Sequence, residues 1–294
     1  MKIIKNKDTF YLFIIFTFSA IAIIARSFFH HDGYLSPDST NYLKLAQTLL
    51  DGNGFYVSSY RLNGSDRDFF AIWPAGYPVL IFVVAKIFHL SVFLASKLLN
   101  IIFIGLSLCL IKKVFKTDSY IYGLVFLFGA YIHIFSYTWT EVPFIFGLLW
   151  FSSSIYYHLN NPASKALLFN LFISALFLFL MRYIGAFSFG VIGLLAMYYF
   201  TQKKYRYFIK LSSISLVGIM IVSLYLYNNY IQVGFPTGMP RIPSPETNFE
   251  LLKQLVNAYM AESFFLCTYP SGISLGLQNL IIFILFITDF RRDI

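Results

Sequence analysis

FYLFIIFTFSAIAIIARSFF, residues 10–29, holds a single charged side chain, Arg26. That length and polarity match the roughly 20 apolar residues a helix needs to cross a bilayer. Lys2, Lys5 and Lys7 precede the run, as in a signal peptide. The run is long for such a leader, however, and no small-residue cleavage site follows, so it reads as a retained first span. Comparable apolar blocks recur at about 93–111, 119–137, 140–158, 165–181, 184–201, 207–227 and 273–289. Of the 294 residues, 58% are hydrophobic and only 12% charged, against roughly a quarter charged in soluble domains. The net charge of +9 does not point to nucleic acid, because the basic residues sit in short clusters between apolar blocks, as membrane-orienting charges do.

Those clusters fix a topology. Gly76 to Leu90 is apolar but short; it follows Pro74 and contains Lys86 and His89, so it reads as an interfacial or half-inserted helix. With that segment held on one side, Lys2/Lys5/Lys7, Lys112/Lys113/Lys116, Lys165, Lys203/Lys204/Arg206/Lys210 and Arg291/Arg292 all share a face. By the positive-inside rule that face is cytoplasmic. The expectation is an all-α, polytopic transmembrane bundle of about eight spans with both termini inside, reading as one membrane domain over 1–294. Two long loops, about 30–91 and 228–271, then face outside and hold Asp32, Asp38, Asp51, Asp66, Asp68, Glu246, Glu250 and Glu262. Cys109 and Cys267 are isolated, which gives no disulfide framework and no cysteine metal site.

The first outer loop, HHDGYLSPDSTNYLKLAQTLLDGNGF, is the informative one. Ser36-Pro37 is a helix start, a capping side chain followed by proline at the first helical position. Tyr42, Leu43, Leu45, Ala46, Leu49 and Leu50 make one apolar face, and Gly52-Asn53-Gly54 ends the helix. Such a helix lies on the membrane surface. Asp38 sits in its first turn, where the helix dipole favours a carboxylate; there it is either an ordinary first-turn acid or a general base toward an acceptor hydroxyl or amine. Glu141, in a tight turn between two spans, and Arg182, at the outer end of another, are ionisable groups at membrane edges, where such groups mark sites, pairs or snorkelling anchors. A guanidinium there can hold a phosphate through paired hydrogen bonds. Arg241 lies in the least regular part of the second outer loop, NNYIQVGFPTGMPRIPSPETNFELLKQLV, where Ser244-Pro245 starts a helix through 246–258. No P-loop, GxGxxG, HExxH, GxSxG or CxxC motif is present. His30-His31-Asp32 could bind a metal, but no further ligand is evident.

Taken together, PDSTNYLKLAQTLLDGNGF and then WPAGYPVL resemble the first outer loop of bacterial GT-C-type glycosyltransferases, relatives of the protein O-mannosyltransferases and the aminoarabinose transferase of lipid A. TWTEVPFIFGLL, LMRYIGAF and NYIQVGFPTGMPRIPSP follow in the family's order, so the resemblance covers roughly residues 30–260. It implies a GT-C-like fold and transfer of a sugar from a polyprenyl-phosphate donor to a glycan, lipid or protein acceptor at the outer face of the bacterial inner membrane. It places the catalytic base on Asp38 and the donor phosphate on Arg182 and Arg241, with Tyr42, Glu141 and Tyr183 as supporting residues. No cofactor is required; a divalent metal is compatible. The chain departs from the family in having Ala75 where a second proline is usual, and in stopping at Ile294, where relatives generally continue with further spans. The competing expectations are a transporter or flippase of lipid-linked sugars, and a truncated, non-catalytic relative.

Overall fold

The structure, a computed structural model, describes residues 4–58, 67–238 and 245–262. It is almost wholly helical. Helix α1 (Ile4–Phe29) runs through the first apolar block and packs antiparallel to α4 (Val92–Phe115). At one end the Lys112 ammonium donates to the Thr9 hydroxyl. At the other, Phe28 meets Phe93 edge to face. Residues 30–91 therefore begin and end at the same end of the bundle, the loop end. They hold α2 (Pro37–Leu50), the short antiparallel strands β1 (Tyr56–Ser58) and β2 (Arg67–Phe69), and α3 (Gly76–Phe88), which does not return the chain to the lysine end.

The next apolar block is not one straight helix. It comprises α5 (Ser119–Gly123), a 3₁₀ turn at Leu124–Leu127, and α6 (Gly129–Ser136). The axis bends by 63° at Phe128, whose backbone is extended (φ −68°, ψ 140°) and which precedes a glycine. The single straight span expected over 119–137 is thus replaced by a bent pair of helices. Beyond it, α7 (Glu141–Asn160) starts at the loop end and finishes where the Tyr157 hydroxyl donates to the Lys113 carbonyl, 3.1 Å away. Helix α8 (Lys165–Met181) comes back along it, Asn170 bridging Trp150 and Ser154 of α7 at 3.1 and 2.6 Å. After a 3₁₀ turn at Tyr183–Ala186, α9 (Phe187–Thr201) and α10 (Tyr205–Val233) complete the bundle.

Among the described residues five segments are long and apolar enough to cross a membrane: Lys7–Phe29, Val92–Phe115, Glu141–Asn160, Tyr183–Thr201 and Tyr205–Val233. The bent pair makes a sixth if it counts as one span. Helix α8, with 17 residues, is about 25 Å long, somewhat under the thickness of a hydrocarbon core. The segment 273–289, expected as a further span, lies outside the described residues.

Side-chain placement agrees with a lipid environment. Phe13, Leu194 and Leu216 are 64, 72 and 67% exposed on helix faces. Ser96, Asn100, Ser107 and Ser174, by contrast, are wholly buried between helices. Apolar outside with small polar residues inside is the arrangement of helices that pack in membranes, whereas extensive exposed apolar surface is rare on soluble monomers. The fold is almost wholly helical, and its long apolar helices are compatible with a multi-pass membrane protein.

The chain divides into two compact units, Met1–Pro240 and Arg241–Ile294. In the second, α11 (Asn248–Glu262) opens with a capping box in which Thr247 and Glu250 exchange hydrogen bonds of 2.8 to 3.3 Å.

Candidate active site

The site is built at the loop end, starting from Ser36. Its backbone is extended (φ −104°, ψ 172°) and its hydroxyl accepts from the Ser39 amide at 3.2 Å, so α2 begins where the Ser-Pro pair placed it. The same oxygen accepts a 2.7 Å hydrogen bond from the Trp139 indole, which fastens the start of α2 to the segment just before α7. One turn into α2, Tyr42 is 2% exposed. Its ring meets Trp73 and Tyr77 edge to face, and its hydroxyl lies 3.5 Å from that of Thr140.

Asp38, in the first turn of the same helix, is exposed. Glu141 and Arg182 arrive from two other elements, Glu141 in the first turn of α7 and Arg182 capping the C-terminus of α8. Each charge sits at the helix end whose dipole favours it. The two form an ion pair through Arg182 Nη1 and Glu141 Oε1, each side chain 38% exposed, and the guanidinium lies 6.0 Å from the Phe144 ring centre. Asp38 is close enough to feel both. Its pKa is raised above the usual carboxylate value, chiefly by partial burial and next by the Glu141 carboxylate, while the Arg182 guanidinium pulls it back. The Tyr42 phenol is pushed up too, by burial first, with Asp38 and Glu141 adding to the effect and the Thr140 hydrogen bond opposing it. Asp38, Tyr42, Glu141 and Arg182 thus share one electrostatic environment.

Of the other expected residues, Tyr183 does not join them. Tyr183, although adjacent to Arg182, donates its hydroxyl proton to the Ala71 carbonyl at 2.7 Å and accepts from Asn229 at 2.8 Å. Asn229 also donates to the Pro236 carbonyl at 2.9 Å. Tyr183 is therefore a strut between the first loop and the last turns of α10. Arg241 lies outside the described residues.

Sequence reading passed over a polar strip on α4. Asn100 donates to the carbonyls of Phe135 and Tyr137 at 2.9 and 2.7 Å and accepts from the Tyr77 hydroxyl. Lys97, 3% exposed, donates to the Ser136 carbonyl at 2.6 Å. The available signal was a lysine and an asparagine three residues apart inside an apolar block. A cavity of about 440 Å³ lies between α3, α8 and α10, lined by Phe55, Phe70, Val79, Leu180 and Tyr225, with Asn229 as a polar contributor. His30, His31 and Asp32 bring one donor atom each within 4.8 Å of the others, a grouping that could hold a divalent cation, but all three side chains are exposed on consecutive residues.

No protein-family model, curated protein or solved structure matches this chain.

Proposed function

We propose that the protein is a membrane glycosyltransferase of the GT-C type, moving a sugar from a polyprenyl-phosphate donor to an acceptor at the outer face of the bacterial inner membrane. One observation carries the proposal: Arg182 and Glu141 form an ion pair, and both act electrostatically on Asp38 and on the buried Tyr42, the charges being held by three different helices. A base beside a phosphate-binding cation is what displacement from a sugar phosphate requires. In the reaction the acceptor oxygen or nitrogen attacks the anomeric carbon, and its proton passes to the Asp38 carboxylate. The bond from that carbon to the phosphate oxygen breaks, and the polyprenyl phosphate departs with the electron pair, its charge met by Arg182. A single displacement inverts the anomeric centre. The apolar cavity beside Leu180, two residues from Arg182, offers room for part of a lipid chain. No step calls for a metal or other cofactor.

The eight-span arrangement belongs to this proposal. Helices α1, α4, the bent pair, α7, α8, α9 and α10 supply seven passages and residues 273–289 the eighth, with the loop end outside.

The test is transfer by the purified protein, supplied with a panel of polyprenyl-phosphate sugars and candidate acceptors. Wild type should form a new glycosidic bond, and Asp38→Asn should lower the rate by roughly 10²–10⁴ with folding intact, the contribution of a general base. Near-normal turnover by a folded Asp38→Asn protein would remove Asp38 from the role. Sugar-lipid crossing proteoliposomes without any product would replace the transferase with a transporter.

A further inference from the structure

Lys97 is a buried lysine, 3% exposed, near the loop end of α4. An ammonium taken out of water loses several kcal/mol of hydration unless it is well compensated. Among the described residues no carboxylate pairs with it. Its partners are backbone oxygens, Ser136 O at 2.6 Å and Tyr34 O at 3.5 Å, with the Phe93 ring centre 5.1 Å away. Ionisable groups at membrane depth usually serve a site.

What the two carbonyls have in common is where their chains lead. Tyr34 stands four residues before Asp38, and Ser136 five residues before Glu141. Both connections are non-helical for most of their length, through Leu35–Ser36 and through Tyr137–Thr140. The neighbours of Lys97 on α4 hold the second connection as well: Ser96 pairs with the Thr138 hydroxyl at 2.8 Å, and Asn100 takes the Phe135 and Tyr137 carbonyls. Trp139 then closes the circuit by donating to Ser36.

We infer that Lys97 is a positioning residue, whose buried ammonium ties the Asp38-bearing and Glu141-bearing segments together through Tyr34 O and Ser136 O and so sets the separation of the two carboxylates. The inference rests on the proposed roles of Asp38 and Glu141, and its test runs without turnover. Carbodiimide with an amine nucleophile couples to protonated carboxyls. Labelling at Asp38, read by peptide mass spectrometry across pH with Asp32 as the internal reference, therefore follows the ionisation of Asp38 whether or not the protein transfers a sugar. If Lys97 holds the segments together, Lys97→Met lets Asp38 move away from Glu141 and into solvent. Its labelling curve then shifts to lower pH by about half a unit, a roughly threefold loss on the alkaline limb. Lys97→Arg, which keeps a cation toward the same carbonyls, should restore at least part of the wild-type curve.

Lys97→Gln goes through the same protocol in case Lys97→Met does not yield monodisperse protein. Folded Lys97→Met or Lys97→Gln protein with the wild-type Asp38 curve overturns the inference. So does failure of all three variants to fold, which would make Lys97 a requirement of the bundle rather than of the site. If transfer is demonstrated, Lys97→Met should lower kcat about 10- to 100-fold, the scale of a small misplacement, with little change in donor KM. Absence of transfer by wild type would count against the proposed function and leave the labelling result standing on its own.

Discussion

Asp38 has two charged neighbours that act on it in opposite directions, and this makes its role measurable through pH. A general base must be ionised before it can accept a proton, so transfer should rise with pH through the Asp38 pKa. That pKa is raised by burial and by Glu141 and lowered by Arg182. Replacing Glu141 with Gln removes a like charge, lets Asp38 ionise at lower pH, and should move the acid limb of the kcat profile toward acid. Arg182→Ala removes the opposing cation and should move the same limb toward neutrality. Both variants will also be slower, but the two shifts must have opposite signs. Shifts of the same sign, or none, would show that another group governs the limb. Glu141 and Arg182 were legible as positions because a charge at the end of an apolar block is conspicuous, and Asp38 because Ser36-Pro37 sets it in the first turn of a helix. Lys97 was not legible. Hydropathy treats one lysine near the end of a long apolar block as a trivial interruption, and its partners are backbone carbonyls that leave no mark in the sequence. The strut role of Tyr183 was hidden for the same reason, since it depends on the Ala71 carbonyl and on Asn229 from a different helix.

At the scale of elements, α2 was readable from its first two residues, whereas the break at Phe128 was not. Ser-Pro encodes a helix start locally, through a capping oxygen and a fixed φ. The bend instead depends on long-range satisfaction of the carbonyls it frees, and Ser19 of α1 provides part of that by donating to the Phe126 carbonyl at 3.3 Å. Helix α2 also carries a test of its own. Ser36 accepts from both the Ser39 amide and the Trp139 indole. Ser36→Ala should therefore cost about 1–2 kcal/mol, the upper part of the range for losing an N-cap, because the indole loses its acceptor as well. Reversible unfolding in detergent, compared between Ser36→Ala, Trp139→Phe and the double variant, reads this directly. If the two losses simply add, the Ser36–Trp139 bond contributes nothing beyond the cap.

For the whole molecule, the alternation of lysine clusters and the path of the chain lead to the same geometry. Thr9 with Lys112, and Tyr157 with Lys113, mark one end. Phe28 with Phe93, and Ser36 with Trp139, mark the other. A single cysteine introduced at Lys113 should therefore stay unlabelled by an impermeant reagent applied to intact cells, and one at Asp68 should react. Labelling at position 113 from outside would invert or break the proposed topology. The span count was not fully legible in the sequence. Charge alternation requires only an odd or even number of crossings between clusters, so it tolerates a bent segment such as 119–136 or a short helix such as α8, both of which length criteria treat differently.

The Arg182–Glu141 pair has a consequence for which phosphates can enter. Glu141 is a competitor on a leash: it occupies the guanidinium at the high local concentration that tethering confers, at least millimolar by analogy with short linkers. Orthophosphate arriving from solution has to outbid that carboxylate with nothing but its own charge. A phosphate attached to a polyprenyl chain is held in the bilayer by about 0.8 kcal/mol for each methylene withdrawn from water, which concentrates it in the plane where the proposal sets Arg182. For the donor proposed here, the ion pair therefore acts as a sieve, shut to soluble anions and open to those that come by way of the membrane.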